Sequence, residues 1–419
     1  MTSPRIIPRA EHPISRGYID TDALRILYRL HRSGFKSYLV GGSVRDLMTG
    51  RTPKDFDIGT DARPNEIRRL FRNSRIIGRR FRLAHIFFQG GKIIEVSTFR
   101  ARPGAVEPAD TEEVPDDILI RDDNTFGTPE EDAYRRDFTI NGLFYDISNF
   151  SVIDYVGGVE DLEARTVRTI GDPEIRFRED PVRMLRACEF AARLDFEMEP
   201  RLLEAIETVR GEILKSASPR VTEELLDPVR RGWGASTYRT WSRTGLLDVL
   251  IPELEAEAGH RAEHPGPARS YFWRMLENAD RRCAEGHAVP DTVILAMLFL
   301  PLVIGAVRTR GGGGQRLEAP NLLTVLEDVI NPIAIRMSLP NQAVHQAKQA
   351  LYTMGRLAET SPGEPRAKRL RARLSFFDAA TIFSIYSAAS NRYRTQAAAW
   401  ENTGPLGRRP RSPEEEEQE

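Results

Sequence analysis

In the stretch TPKDFDIGT (52–60), Asp55 and Asp57 stand one residue apart among residues that read as a buried strand. Side chains alternate along a strand, so the two carboxylates share one face while Phe56 and Ile58 take the other, toward a core. Two adjacent carboxylates repel, and each resists ionisation. A divalent cation removes that cost. Mg²⁺ favours carboxylate oxygens and keeps positions for substrate phosphates, and two such ions clamp the attacking and leaving oxygens of a phosphoryl transfer. For an isolated D-x-D, a strand edge with two solvated acids is the simpler alternative.

The residues just upstream change that balance. In LVGGSVRDL, Gly41 and Gly42 fall where a strand turns into a helix. Backbone amides at a helix start favour anions, and glycine lets the backbone approach a phosphate chain closely. Ser43 adds a hydroxyl donor, and Arg45 on the first turn adds a charge for a phosphate oxygen. Glu95 interrupts the apolar run IIEVSTF, where a buried unpaired acid would be costly. It is the candidate third carboxylate for fixing metals. A salt bridge to a nearby arginine is the alternative.

These residues need elements to position them. TDALRILYRLHRSGF (21–35) has helical spacing, with Asp22 as start signal and Gly34 as stop. SYLVGGSVRDLMTG reads as strand, turn and helix, and NEIRRLFRN as a helix. RLAHIFF and KIIEVSTF read as a hairpin joined by QGGK. Residues 103–129 read as a polar loop, and RGGGG (310–314) as another loop. From about 158 to 400 the pattern is overwhelmingly helical. The expected division is a flexible arm (1–19), a mixed α/β head (20–160), a helical neck (161–235), a helical body (236–402) and a disordered charged tail (403–419).

The 419 residues are 40% hydrophobic and 29% charged, ordinary for a globular protein. The net charge of -1 hides an asymmetry: residues 1–110 carry about +10, residues 111–180 about -12. A basic front and an acidic middle suit a protein that handles a polyanion and binds cations. Two cysteines, Cys188 and Cys283, offer no disulfide framework and no metal spacing. No signal peptide is evident in the first 17 residues. The run VILAMLFLPLVIGAV (293–307) is short for a membrane span and is expected to be a buried helix that breaks near Pro301. These features predict a soluble, cytoplasmic chain without a membrane partner. HRAEH (260–264) has the letters of a zinc motif in a setting of Gly and Pro that does not suit the helix a zinc site needs.

Four blocks, LVGGSVRDLMTGRTPKDFDIGT, EEDAYRRDFTIN, DYVGGVEDLEARTVRTIG and RFREDPVRMLRA, resemble in order the signature blocks of the class II nucleotidyltransferases. That family contains the bacterial tRNA CCA-adding enzymes and the bacterial poly(A) polymerases. The resemblance covers roughly residues 20–260. It implies an α+β fold, with a polymerase-β-like head holding a small mixed sheet, followed by all-helical neck and body. It implies that Asp55 and Asp57 hold two catalytic Mg²⁺ ions. Gly42, Arg45 and Arg136 would contact the triphosphate, and Asp137 and Asn141 the nucleotide and its ribose. Helix capping is the alternative for those last two.

In EDPVR, Asp180 and Arg183 are three residues apart, so on a helix they share a face. A carboxylate accepts from the amino group of adenine and a guanidinium donates to a ring nitrogen, so the pair can read a base edge without a template. Arg186 lies one turn further on. An exposed ion pair is the alternative. Where the family usually has another arginine, this chain has Glu189, so one triphosphate contact is lost or supplied elsewhere.

IIGRRFRLAHIFF (76–88) resembles a block associated with the poly(A) polymerase branch. Arg79, Arg80 and Arg82 add charge for RNA phosphates without reading sequence. The expected function is template-independent transfer of AMP from ATP to RNA 3′ ends by a polynucleotide adenylyltransferase, in RNA processing and turnover. ATP is the expected substrate, with RNA-turnover proteins as candidate partners. CCA addition to tRNA and a catalytically weak RNA-binding decay factor are the alternatives.

Overall fold

A computed structural model describes residues 3–78, 82–101, 125–216, 218–261, 268–310 and 322–401. Residues 103–124 of the expected loop at 103–129, the glycines at 311–314, the tail at 403–419, and both Arg79 and Arg80 lie outside the described residues. The chain divides into two compact units, Met1–Val209 and Arg210–Glu419. The expected neck, 161–235, is shared between them.

The first unit is built on an eight-stranded mixed sheet. Its strands are β1 (Arg5–Ile7), β2 (Ser37–Val40), β3 (Asp57–Thr60), β4 (Ser74–Ile77), β5 (Leu83–Phe87), β6 (Ile93–Thr98), β7 (Leu143–Asp146) and β8 (Val152–Asp154). Their order is β1-β8-β7-β2-β3-β6-β5-β4. Only β3 and β6 pair in parallel in this sheet, with Ile58 opposite Val96. The β5–β6 hairpin forms as expected, in a register that sets His85 opposite Glu95. Helices α1 (Thr21–Arg32), α2 (Gly42–Met48), α3 (Pro64–Leu70), α4 (Pro129–Tyr134), α5 (Gly158–Glu163), α6 (Pro173–Glu179), α7 (Val182–Leu194) and α8 (Pro200–Val209) complete it.

Local chemistry explains these boundaries. Helix α1 buries Ala23, Ile26, Leu27 and Leu30 as one stripe. Its cap is Asp20 rather than Asp22: the Asp20 carboxylate accepts from the amides of Asp22 and Ala23. Helix α4 opens with a capping box, Thr128 and Glu131 bonding each other's backbone. The expected loose arm is anchored. Residues 5–7 pair with β8, Ile14 is fully buried, and the His12 ring bonds the Phe150 carbonyl at 2.9 Å. A three-residue strand is too short to show periodicity in the sequence. Beside the sheet, Val40, Phe99, Ala133, Phe144 and Ile153 form a core cluster. Full burial of one such large side chain contributes about 2 kcal/mol.

The second unit is all-helical among its described residues. Helix Asn341–Glu359 packs against Asp291–Arg310 and Phe376–Ser390, and the latter also against Arg269–Ala284. Helix Asp291–Arg310 passes through Pro301 without the expected break. Pro301 removes one backbone donor, but residues 292–303 are all buried, and that packing holds the helix together. At 20 residues it is long and apolar enough to span a bilayer by length and composition, yet 72% of its most apolar window is buried within the protein. Its burial marks it as a core helix.

Candidate active site

The strand β2 ends at Val40 and the chain turns at Gly41 into α2. Gly41 has φ 69° and ψ -129°, a conformation that suits glycine alone. A Cβ there would lie 2.8 Å from the Arg136 guanidinium. The bare backbone therefore lets Arg136 lie against the turn.

Strand β3 runs beside β2, with Val40 opposite Asp57. The strand starts only at Asp57, so Asp55 and Phe56 precede it. The expectation of two carboxylates on one strand face is corrected accordingly. Pro53 lies just ahead and Asp55 is exposed, so this segment lacks the ladder pairing that would make it strand. Phe56 is half-buried rather than a core residue.

Asp55 and Glu95 nevertheless both act on Asp57. The Asp57 carboxyl is pushed up to about 6, first by burial, then by the charge of Glu95, with Asp55 adding and the Arg136 guanidinium opposing. Glu95 takes His85 as partner, Nε2 to Oε1 at 3.0 Å, where an arginine was the alternative to a metal role. It is exposed, so the desolvation cost anticipated for it does not arise. Among the described residues no three acids, imidazoles or thiols close on a single ion-sized point.

Arg136 is held from behind. Its Nη2 donates to Asp132 at 3.0 Å, and its guanidinium lies over the Phe144 ring at 5.3 Å. Burial would raise the Asp132 carboxyl, but Arg136 and Arg135 outweigh it and lower it. Arg176, itself buried, donates to the carbonyls of Arg135 and Arg136 at 2.8 and 2.7 Å.

A second network joins α2, the 3₁₀ turn Thr139–Asn141 and α7. Asp137 accepts from the Phe138 amide at 2.8 Å and from the Asn141 amide group at 3.0 Å. Its other oxygen accepts two bonds from Arg186, at 3.0 and 2.8 Å. Burial alone would raise this carboxyl, but Arg186 and then Asn141 bring it down to about 2. The Asn141 oxygen accepts from Arg45 at 2.6 Å. Arg45, Arg186 and Arg193 all lie over the Phe190 ring, at 5.1, 5.1 and 4.9 Å.

Several expected roles change with these contacts. Arg45 is buried and engaged by Asn141 and Asp46, so here it braces α2 rather than reaching for phosphate. The Ser43 hydroxyl is buried and donates to the Val40 carbonyl at 3.2 Å, so it is not offered to a ligand. Asp180 is not on α7, which starts at Val182 after Pro181. Its backbone is extended (φ -151°, ψ 89°), as the position before a proline favours. Arg183 donates to the Arg176 carbonyl at 3.0 Å and to Glu179 at 3.2 Å. Glu189 is buried and accepts from Arg193 at 3.3 Å, one turn along α7.

Gly42 opens α2 beside Arg45. Arg82 is exposed just before β5, on the opposite side of β6 from Asp57 in the strand order. In the zinc-like HRAEH stretch, His260 stacks on Trp273 at 4.7 Å and residues 262–264 lie outside the described residues. The sequence reading missed Asp132 and Arg176. Asp132 had a signal, its i,i+4 spacing to Arg136. Arg176 had only its i,i+3 spacing to Glu179; the carbonyls it holds are about forty residues away and left no signal.

Comparison with known proteins gives the family. Residues 37–168 match the poly A polymerase head domain family. Residues 195–257 match the family described as a probable RNA and SrmB-binding site of polymerase A. The chain is 44% identical over 342 residues to Poly(A) polymerase I of Salmonella typhimurium, covering 80% of this chain and 72% of that one. It is 40% identical over 339 residues to the Escherichia coli O157:H7 protein of the same name, with the same coverage. A CCA-adding enzyme of Bacillus pumilus is 40% identical over 188 residues, 45% of this chain and 44% of that one. Among solved structures, the Bacillus stearothermophilus CCA-adding enzyme in complex with CTP superposes with a TM-score of 0.60 at 26% identity, covering 92% of this chain and 83% of that one. With its α+β head, its glycine turn beside Asp57 and these relatives, the chain belongs to the poly(A) polymerase and tRNA nucleotidyltransferase family, as a polynucleotide adenylyltransferase.

Proposed function

We propose that this enzyme adds AMP from ATP to the 3′-hydroxyl of RNA without a template, releasing pyrophosphate. The observation that carries the reading is the strand register that sets Glu95 beside Asp57, with Asp55 two residues ahead and Arg136 against the Gly41 turn. Three neighbouring carboxylates against one facing guanidinium leave surplus negative charge, and an all-oxygen donor set fits Mg²⁺.

Asp55 and Asp57 would hold Mg²⁺, with Glu95 beside them. When bound, the metal supplies charge for the α-phosphate and lowers the proton affinity of the attacking hydroxyl. The RNA 3′-oxygen bonds to the α-phosphorus, the bond to the α,β-bridging oxygen breaks, and the hydroxyl proton passes to solvent. Arg136, set against the Gly41 backbone, offsets triphosphate charge. Asp137, Asn141, Arg186 and Arg45 support that turn. Asp180 and Arg183 remain the candidates for reading adenine, presented at the α6–α7 junction rather than on one helix face. The head (20–160) would carry the chemistry, the neck (161–235) base recognition, and the body (236–402) RNA binding. Arg82 would add an RNA phosphate contact. RNA-turnover proteins are the proposed partner class, supported by the match at 195–257.

The block at 76–88 and the higher identity to the poly(A) polymerases over a comparable length, 44% over 342 residues against 31% over 345 for a CCA-adding enzyme, favour adenylation over CCA addition. The experiment supplies Mg²⁺, an unstructured RNA and each nucleotide singly. Long tails with ATP alone are expected, reduced to background by Asp55→Ala or Asp57→Ala with RNA binding retained. CTP incorporation on tRNA ending before CCA would instead support the second activity.

A further inference from the structure

The strands that carry Asp57 and Glu95 bring a third side chain to the same row. His85 on β5 stands opposite Glu95, and Ile58 opposite Val96 sets Glu95 beside Asp57. His85 Nε2 lies 3.0 Å from Glu95 Oε1. An ionised carboxylate only accepts, so the proton in this bond belongs to the imidazole. The imidazole is the sheltered partner, 19% exposed against 47% for the carboxylate. Its edge meets the Phe87 ring at 6.4 Å, and Phe87 in turn carries the Arg75 guanidinium at 5.9 Å. The ring is thus braced by its neighbours, while Glu95 is a long, exposed side chain with many rotamers.

We propose that His85 is a positioning residue that holds the Glu95 carboxylate beside Asp57, ready for the divalent cation. This rests on the reading of Glu95 as the third carboxylate. An exposed pair of this kind adds little to stability, so its value lies in orientation. Groups that orient a metal ligand typically change affinity or activity by about 10- to 100-fold when removed.

The test uses the full chain with His85→Leu, His85→Gln and Glu95→Gln. Mn²⁺ binding is followed by electron paramagnetic resonance in the presence of a non-hydrolysable ATP analogue. AMP incorporation gives kcat and the KM for ATP. His85→Leu is expected to weaken Mn²⁺ binding and lower kcat, each about tenfold, with KM little changed. His85→Gln keeps an N–H donor and is expected to recover most of both. Wild-type Mn²⁺ binding in His85→Leu, or equal losses in the Leu and Gln variants, would overturn the role of His85. Normal binding and kcat in Glu95→Gln would instead overturn the assignment of Glu95.

Discussion

Gly41 and Arg136 show how one residue's conformation constrains another's charge. The turn needs the positive φ of Gly41, and the missing Cβ leaves the space the guanidinium fills. Gly41→Ala would force both a strained backbone and a contact of 2.8 Å with Arg136. It is expected to destabilise the protein by about 2 kcal/mol and to raise the KM for ATP as Arg136 is displaced. Thermal melts and steady-state kinetics on the same preparation check both parts. Unchanged kinetics with a lowered melting temperature would separate the turn from the nucleotide.

At the scale of elements, Asp137 joins α7 to the 3₁₀ turn and, through Asn141, to α2. Its folded pKa of about 2 lies below that of the unfolded chain. The stabilisation is therefore complete above about pH 4 and lost as pH falls toward 2. Asp137→Asn should cost about 2 kcal/mol at neutral pH, and the gap to wild type should close as the solution is acidified through that window. Urea melts at pH 7, 4 and 3 follow the difference; a gap that stays constant would show that the charge is not what matters. The same logic explains why Arg45 serves α2 internally. It is buried between Asn141, Asp46 and the Phe190 ring, and pulling it out to a phosphate would leave Asn141 without that donor.

For the whole molecule, each compact unit has its own core. The first is organised around the mixed sheet and Val40, Phe99 and Phe144; the second around helices such as Asp291–Arg310 and Asn341–Glu359. Fragments 1–209 and 210–401 are therefore each expected to melt cooperatively in urea, with the circular dichroism of an α+β and an all-α protein respectively. A broad, non-cooperative transition in either would show that its core is incomplete alone.

Much of this protein was legible in its residues. Period-2 and period-3.6 patterns gave the hairpin at 83–98 and helix α1, and the order of the glycine turn, the aspartates and the RRDFTIN and EDPVR blocks pointed to the family. Those signals are local, carried by neighbours in the chain. Which arginine meets phosphate and which braces the scaffold was not legible, because every arginine looks alike until burial and distant partners sort them. Arg45 meets Asn141 across ninety-six positions, and Glu95 meets His85 only through strand register. Pro301 inside a continuous helix makes the same point: the local penalty was readable, and the packing that outweighs it belongs to the fold.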